Sequence, residues 1–136
     1  PARVPHEFPN FSNTVVLAGQ EQLVASVVFD SVLEQGRHLV QNGFKDPAAV
    51  LARVVLEDCL RRLARRHGCD ESATPAAVND ALRDKGLYSK PQWRMVQSML
   101  DTGNAAAHGQ FASYTSADVA RLISDVERFM AQELGA

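Results

Sequence analysis

Asp101, Asn104 and His108 fall at positions i, i+3 and i+7 of the stretch Met99 to Gly109, so a helix there carries a carboxylate, an amide and an imidazole on one face. No other segment of the chain does this. A carboxylate beside an imidazole is the raw material of acid–base chemistry, yet one histidine without a nucleophile, a base partner or a phosphate clamp nearby is not a site. The expected role of His108 is therefore structural: with Asn104 it pairs buried polar groups where helices meet, and Asp101 lies nearer the rim. Gly103 and the alanines Ala105, Ala106 and Ala107 leave little bulk, which permits another helix or a ligand to come close to the backbone.

Two further groups of residues could do chemistry. Arg61, Arg62, Arg65 and Arg66 crowd the last turns of one helix and would suit a phosphate. The same residues also read as a solvated face, because Glu57 to Arg61 and Asp58 to Arg62 are i,i+4 pairs and cations favour a helix C-terminus. His67 and Cys69 are metal-ligand types, but no second pair stands at metal-finger spacing, so no metal and no cofactor are expected. Trp93 and the methionines read as core packing.

The composition sets limits. The chain has 136 residues, 46% of them hydrophobic and 22% charged, which fits one globular domain with a real core. A formal net charge of -2 leaves no broad basic surface, so nucleic acid would have to bind a local patch. Cys59 and Cys69 are expected to be free thiols. No apolar run approaches the ~20 residues needed to span a bilayer, and the cytoplasm is the expected compartment. The chain opens on Pro1, which suits either a trimmed start or a domain cut from a longer protein.

The elements that must hold the motif follow from periodicity. Residues 1–13, with three prolines and no helical period, are expected to form an extended arm in which Phe8 and Phe11 are suited to docking; residues 14–136 are expected to form a single domain. From about Val15 to Gln41 the apolar positions Leu23, Val24, Val27, Val28, Val32, Leu39 and Val40 make a helical stripe that Gly36 would bend or interrupt, and Asn42-Gly43 ends it. Asp46-Pro47 predicts a capped helix start, and that helix runs to about His67 with Leu51, Val54, Val55, Cys59, Leu60 and Leu63 buried. Thr74-Pro75 starts a short helix, ending near Gly86, that Val78, Ala81 and Leu82 anchor. Pro91 begins the helix of Trp93, Val96, Met99 and Leu100, which delivers the motif. Gly109 to Tyr114 is a loop. Thr115 to Asp118 resembles a capping box, and the last helix buries Val119, Leu122, Ile123, Val126, Phe129, Met130 and Leu134. The predicted fold is all-α, an antiparallel helical bundle of four main helices plus one short helix.

The segment from Asp46 to His67, DPAAVLARVVLEDCLRRLARRH, followed at a distance by Gly-Asn-Ala-Ala-Ala-His at Gly103 to His108, resembles the HEPN superfamily. Those are helical-bundle domains of bacterial defence, toxin–antitoxin and RNA-processing systems. More narrowly, the chain is similar to HEPN-like families that pair an Ala-x-x-x-Leu-Glu helix, here Ala52 to Glu57, with a Gly-Asn-x-x-x-His helix. In ribonuclease members an Arg-x4-6-His motif binds the scissile phosphate and performs acid–base chemistry. Here His108 matches, but Asp101, Thr102 and Gly103 stand where the arginine belongs, and Arg94 is too far upstream. The resemblance thus implies a non-catalytic interaction domain, a homodimer through the Gly103 to His108 face, acting as the sensing or scaffolding part of a larger bacterial defence or toxin–antitoxin type system. The alternative is an RNA-binding or divergent, metal-independent ribonuclease that uses His108, with Arg61, Arg62, Arg65 and Arg66 on the phosphates or an arginine from a second subunit.

Overall fold

A computed structural model describes residues 11–135, with side chains from residue 25 onward. Five helices follow one another: α1 (Phe11–Gln41), α2 (Lys45–Arg66), α3 (Pro75–Asp84), α4 (Lys90–Ala107) and α5 (Ser116–Leu134), with a 3₁₀ turn at Phe111–Ser113 between the last two. No strand occurs among the described residues. The fold is all-α, four long helices and the short α3, as the periodicity predicts. The expected arm lies outside the described residues up to residue 10; from Phe11 the backbone is already helical, so α1 begins before Val15.

Local chemistry accounts for most helix ends. Thr74 accepts the Ala77 amide at 3.2 Å and Pro75 takes the first helical position of α3. Ser89 accepts the Gln92 amide at 3.4 Å at the start of α4. At α5 the box is reciprocal: the Asp118 amide donates to Thr115 Oγ1 at 3.1 Å, and the Thr115 amide donates to Asp118 Oδ2 at 2.8 Å. The start of α2 departs from expectation. Its cap position is Phe44, with no side-chain bond, and Asp46 lies inside the first turn with its carboxylate turned to other work. Between α1 and α2 the chain reverses at Gly43, whose φ of 86° is open to glycine at little cost; its amide and that of Phe44 close on the Val40 and Leu39 carbonyls. So short a turn forces α1 and α2 to lie antiparallel.

Helix α2 touches all four other helices and is the axis of the core. Its inner surface mixes the small Ala48, Ala49, Ala52 and Ala64 with Val55, Leu56, Cys59, Leu60 and Leu63, so neighbours approach closely at one level and interlock at the next. Val119, Leu122, Ile123, Val126 and Phe129 of α5 close the bundle, all buried. Gly36 does not interrupt α1; a Cβ there would stand 3.2 Å from Ile123 Cδ1, so the glycine lets α1 meet α5. Three expected core positions are instead exposed: Val27 at 61%, Val28 at 51% and Val54 at 53%. The inner face of α1 runs through Phe29, Leu33 and Gly36 and is turned away from both valines, and Val54 lies opposite the α2 surface that the other helices cover.

One buried polar group holds α3 to α4. Asn79 is 0% exposed; its amide nitrogen donates to the Trp93 carbonyl at 3.2 Å and to Gln97 Oε1 at 3.3 Å, and its amide oxygen accepts the Tyr88 hydroxyl. Trp93 Nε1 donates to Asp80 at 2.9 Å, and the Arg83 guanidinium lies 4.4 Å from the indole ring centre. Trp93 is thus a half-buried strap between two helices.

Candidate functional site

The motif helix ends in a glycine closure that fixes where His108 stands. Gly109, at a φ of 74°, sends its amide to the Ala106 carbonyl at 3.2 Å, and the Gln110 amide goes to the Ala105 carbonyl at 2.8 Å. His108 is therefore the residue just past the last turn of α4, and its side chain is exposed. The expected burial of His108 between packed helices is not what the fold provides: one residue past the last turn of α4, the imidazole meets solvent. Asp101 and Asn104 are also exposed, and the three side chains lie along one outer face, Asp101 without an ion pair or hydrogen bond to any described residue.

Of the three, only the Asn104 side chain has a partner among the described residues. Arg53 of α2 donates from Nε to Asn104 Oδ1 at 3.2 Å, and its Nη2 lies 3.0 Å from Glu57 Oε2. The stem of the same arginine covers Gly103, where an added Cβ would come within 2.9 Å of Arg53 Cβ. Ala106 is buried. The small residues of the motif thus admit α2 of the same chain, and the face expected to pair copies is reduced to its outer part, Asn104, Ala107 and His108. Glu57 takes Arg53 and not Arg61, so one of the two expected i,i+4 pairs does not form.

Beyond Gly109 the 3₁₀ turn folds back beside α4 and is clamped to the start of α2. Tyr114 is buried, and its hydroxyl donates to Asp46 Oδ1 at 2.6 Å. Lys45 Nζ donates to the same oxygen at 3.0 Å and to the Phe111 carbonyl, and lies 4.0 Å from the Tyr114 ring centre. The Tyr114 hydroxyl, and next the Lys45 ammonium, hold the Asp46 carboxyl below its usual range. Burial, with Asp46 beside it, pushes the Tyr114 phenol up.

Between α4 and this returning turn is a depression of about 430 Å³, lined from α4 by Asp101, Thr102, Asn104, Ala105 and His108 and from the loop by Gln110, Ser113 and Tyr114. Among the described residues neither lysine nor arginine lines it. A phosphate brought up to His108 would meet the Asp101 carboxylate and find no guanidinium to receive it.

The arginines at the end of α2 are each occupied. Arg61 Nη1 and Arg62 Nε both reach Asp58, at 3.2 and 2.9 Å, and Arg62 also lies over Phe29 with its guanidinium carbon 5.5 Å from the ring centre. Arg65 makes a two-point contact with Glu71, at 3.0 Å from Nε and 2.8 Å from Nη2, and Arg66 donates to the Glu133 carbonyl at 3.2 Å. Arg65 and Glu71 each hold the other in its charged form. All four guanidinium groups thus have partners within the chain. Both cysteines are free, and burial pushes the Cys59 thiol up to about 12. Among the described residues no three His, Cys, Asp or Glu side chains gather closely enough to hold a metal ion, and no helix is long and apolar enough to cross a membrane.

The sequence did not single out Arg53, Tyr114 or Asn79, and it pointed to Asp46 only as a helix cap. The only signal for Arg53 was its place one residue after Ala52 in the Ala-x-x-x-Leu-Glu segment, and nothing local pairs it with a residue on α4. Set against known protein families, curated proteins and solved structures, the chain has no match in any of the three.

Proposed function

We propose that this chain is a non-catalytic, HEPN-like pairing domain that forms a homodimer through the outer face of α4 and serves as the scaffolding or sensing part of a larger bacterial defence or toxin–antitoxin type system. The observation that carries the non-catalytic part is the lining of the depression beside His108: one carboxylate, amides and hydroxyls, with no lysine or arginine among the described residues. Cleavage of RNA at the ribose 2′-hydroxyl needs a group to neutralise the phosphate as charge develops on it, and Asp101 does the reverse. Arg53, the arginine tied to the motif helix, is spent on Asn104 and Glu57. Arg61, Arg62, Arg65 and Arg66 are held by Asp58, Glu71 and the Glu133 carbonyl, which favours the solvated-face reading over a phosphate patch. The resemblance of the Gly103 to His108 segment to the superfamily's motif helix supplies the pairing.

Two measurements test the proposal. Purified protein incubated with single-stranded RNA and with tRNA is expected to leave both intact; cleavage that His108→Ala abolishes would overturn the non-catalytic reading in favour of a divergent ribonuclease. Light scattering is expected to return twice the chain mass at about 100 μM, where an interface worth ~8 kcal/mol is well populated. A strict monomer there would overturn the pairing.

A further inference from the structure

The outward face of α4 carries its charges in an order that the described residues do not explain. Lys90, Arg94, Ser98, Asp101 and His108 follow one another along that face, all exposed. Arg94 and Asp101 are seven residues apart, two turns, which places them at nearly the same angle and about 10 Å apart along the axis. Neither makes an ion pair or hydrogen bond with any described residue. Within α4 itself the neighbours of Arg94 at three and four residues are Lys90, Pro91, Gln97 and Ser98, and those of Asp101 are Gln97, Ser98, Asn104 and Ala105, so no opposite charge is in helical reach of either. The order is also the reverse of what a helix dipole favours. The cations stand at the N-terminal, positive end, with no acid in the first turn, and the acid stands in the C-terminal half, with no base in the last turn.

A second α4 running antiparallel supplies what is missing. With a two-fold axis between Gln97 and Ser98, Arg94 of each copy lies opposite Asp101 of the other, and the contact occurs twice because the interface is self-complementary. The same axis lays the cationic N-terminal half of each helix along the negative end of the other. Ser98, small and exposed, stands at the crossing point and leaves room for the helices to approach. From this charge complementarity we infer that the occupant of the outer α4 face is a second copy of the chain, in an antiparallel register set by Arg94 against Asp101. The inference rests on the proposed pairing and specifies its face and register.

Charge exchange tests it. Sedimentation analysis at low salt would compare the parent with Arg94→Asp, with Asp101→Arg, with the double variant, and with an equal mixture of the two single variants. Each single variant places like charges opposite one another at both contacts and is expected to weaken self-association roughly tenfold or more. The double variant is expected to recover near-parent association. The mixture is expected to form a heterodimer, since a chain acidic at both positions then meets a chain basic at both, and each contact is attractive. Both positions are exposed, and a circular dichroism spectrum like the parent's establishes that each variant folds. A parent that dimerises while both single variants dimerise equally well would overturn the register and leave the pairing intact. A monomeric parent overturns both.

Discussion

Arg53 on α2 and Asn104 on α4 are joined across the bundle, Nε to Oδ1 at 3.2 Å, although 51 residues separate them in the chain. The arginine stem lies flat on Gly103 on the way. The motif helix is thus docked by a glycine that admits the stem and an amide that receives the head.

Replacing Gly103 with alanine is expected to destabilise the fold by roughly 1–3 kcal/mol, because the new methyl would stand 2.9 Å from Arg53 Cβ, an atom that moves only with its backbone. Urea denaturation measures this. A parent-like midpoint would mean that α2 and α4 separate without cost and that the close approach is not a constraint.

Side-chain truncations at the motif face should divide. Asn104→Ala loses an exposed bond to Arg53 and is expected to cost about 0.5–1 kcal/mol. His108→Ala removes an exposed imidazole beyond the last turn of α4 and is expected to change the monomer's stability by no more than about 0.5 kcal/mol. Denaturant melts at concentrations low enough to keep the protein monomeric compare the two; a large loss at His108 would restore a structural role for it.

The clamp at Asp46 should show in the pH dependence of stability. Its carboxyl is held below the usual range in the folded chain, so its contribution is present above the unfolded value, near pH 4, and is lost as the pH falls through the lower folded value. Tyr114→Phe removes the largest cause of that lowering. It is expected to lower the melting temperature at pH 7, with the gap to the parent narrowing as the pH approaches 3. A gap that stays constant over that range would show that the tyrosine acts through packing alone.

The thiols should react in order. Cys59 is buried with its ionisation pushed up to about 12, and Cys69 is half-buried, so a disulfide reagent at pH 8 is expected to modify one cysteine in the native protein and the second only on unfolding. Mass spectrometry of the singly labelled protein should place the label on Cys69. Early labelling of Cys59 would require that α2 opens readily.

Buried Asn79 predicts the largest single effect. Asn79→Ala leaves the Tyr88 hydroxyl, the Trp93 carbonyl and Gln97 without their partner and opens a space in the core, with an expected loss of roughly 2–4 kcal/mol. Tyr88→Phe, which removes a single donor from the same group, should lose less. Equal melts for parent and Asn79→Ala would mean that water replaces the amide.

The sequence by itself determined the helices and many of their ends, because those depend on forces that act within a few residues. The three-to-four-residue period along Val119 to Leu134 and Leu51 to Leu63, the threonines before Pro75 and Ser116, and the glycines after α1, α2 and α4 all act over one or two turns. The same local view placed Asp101, Asn104 and His108 on one face. Only the tertiary structure decided which side of each helix is covered. Val54 belongs to the period of α2 and yet faces solvent, since four neighbours already occupy the opposite surface. Asn79 carries no apolar signal and yet is fully buried, because Tyr88, Trp93 and Gln97 converge on it. Glu57 had an arginine about one helical turn away on either side, and it took Arg53 in a pair that also faces Asn104 on another helix. Asp46, which reads as a helix cap, became the anchor of Tyr114 from 68 residues away. A side chain's partners are chosen by distance in space once the core has closed, and helical spacing records only the distances within one element.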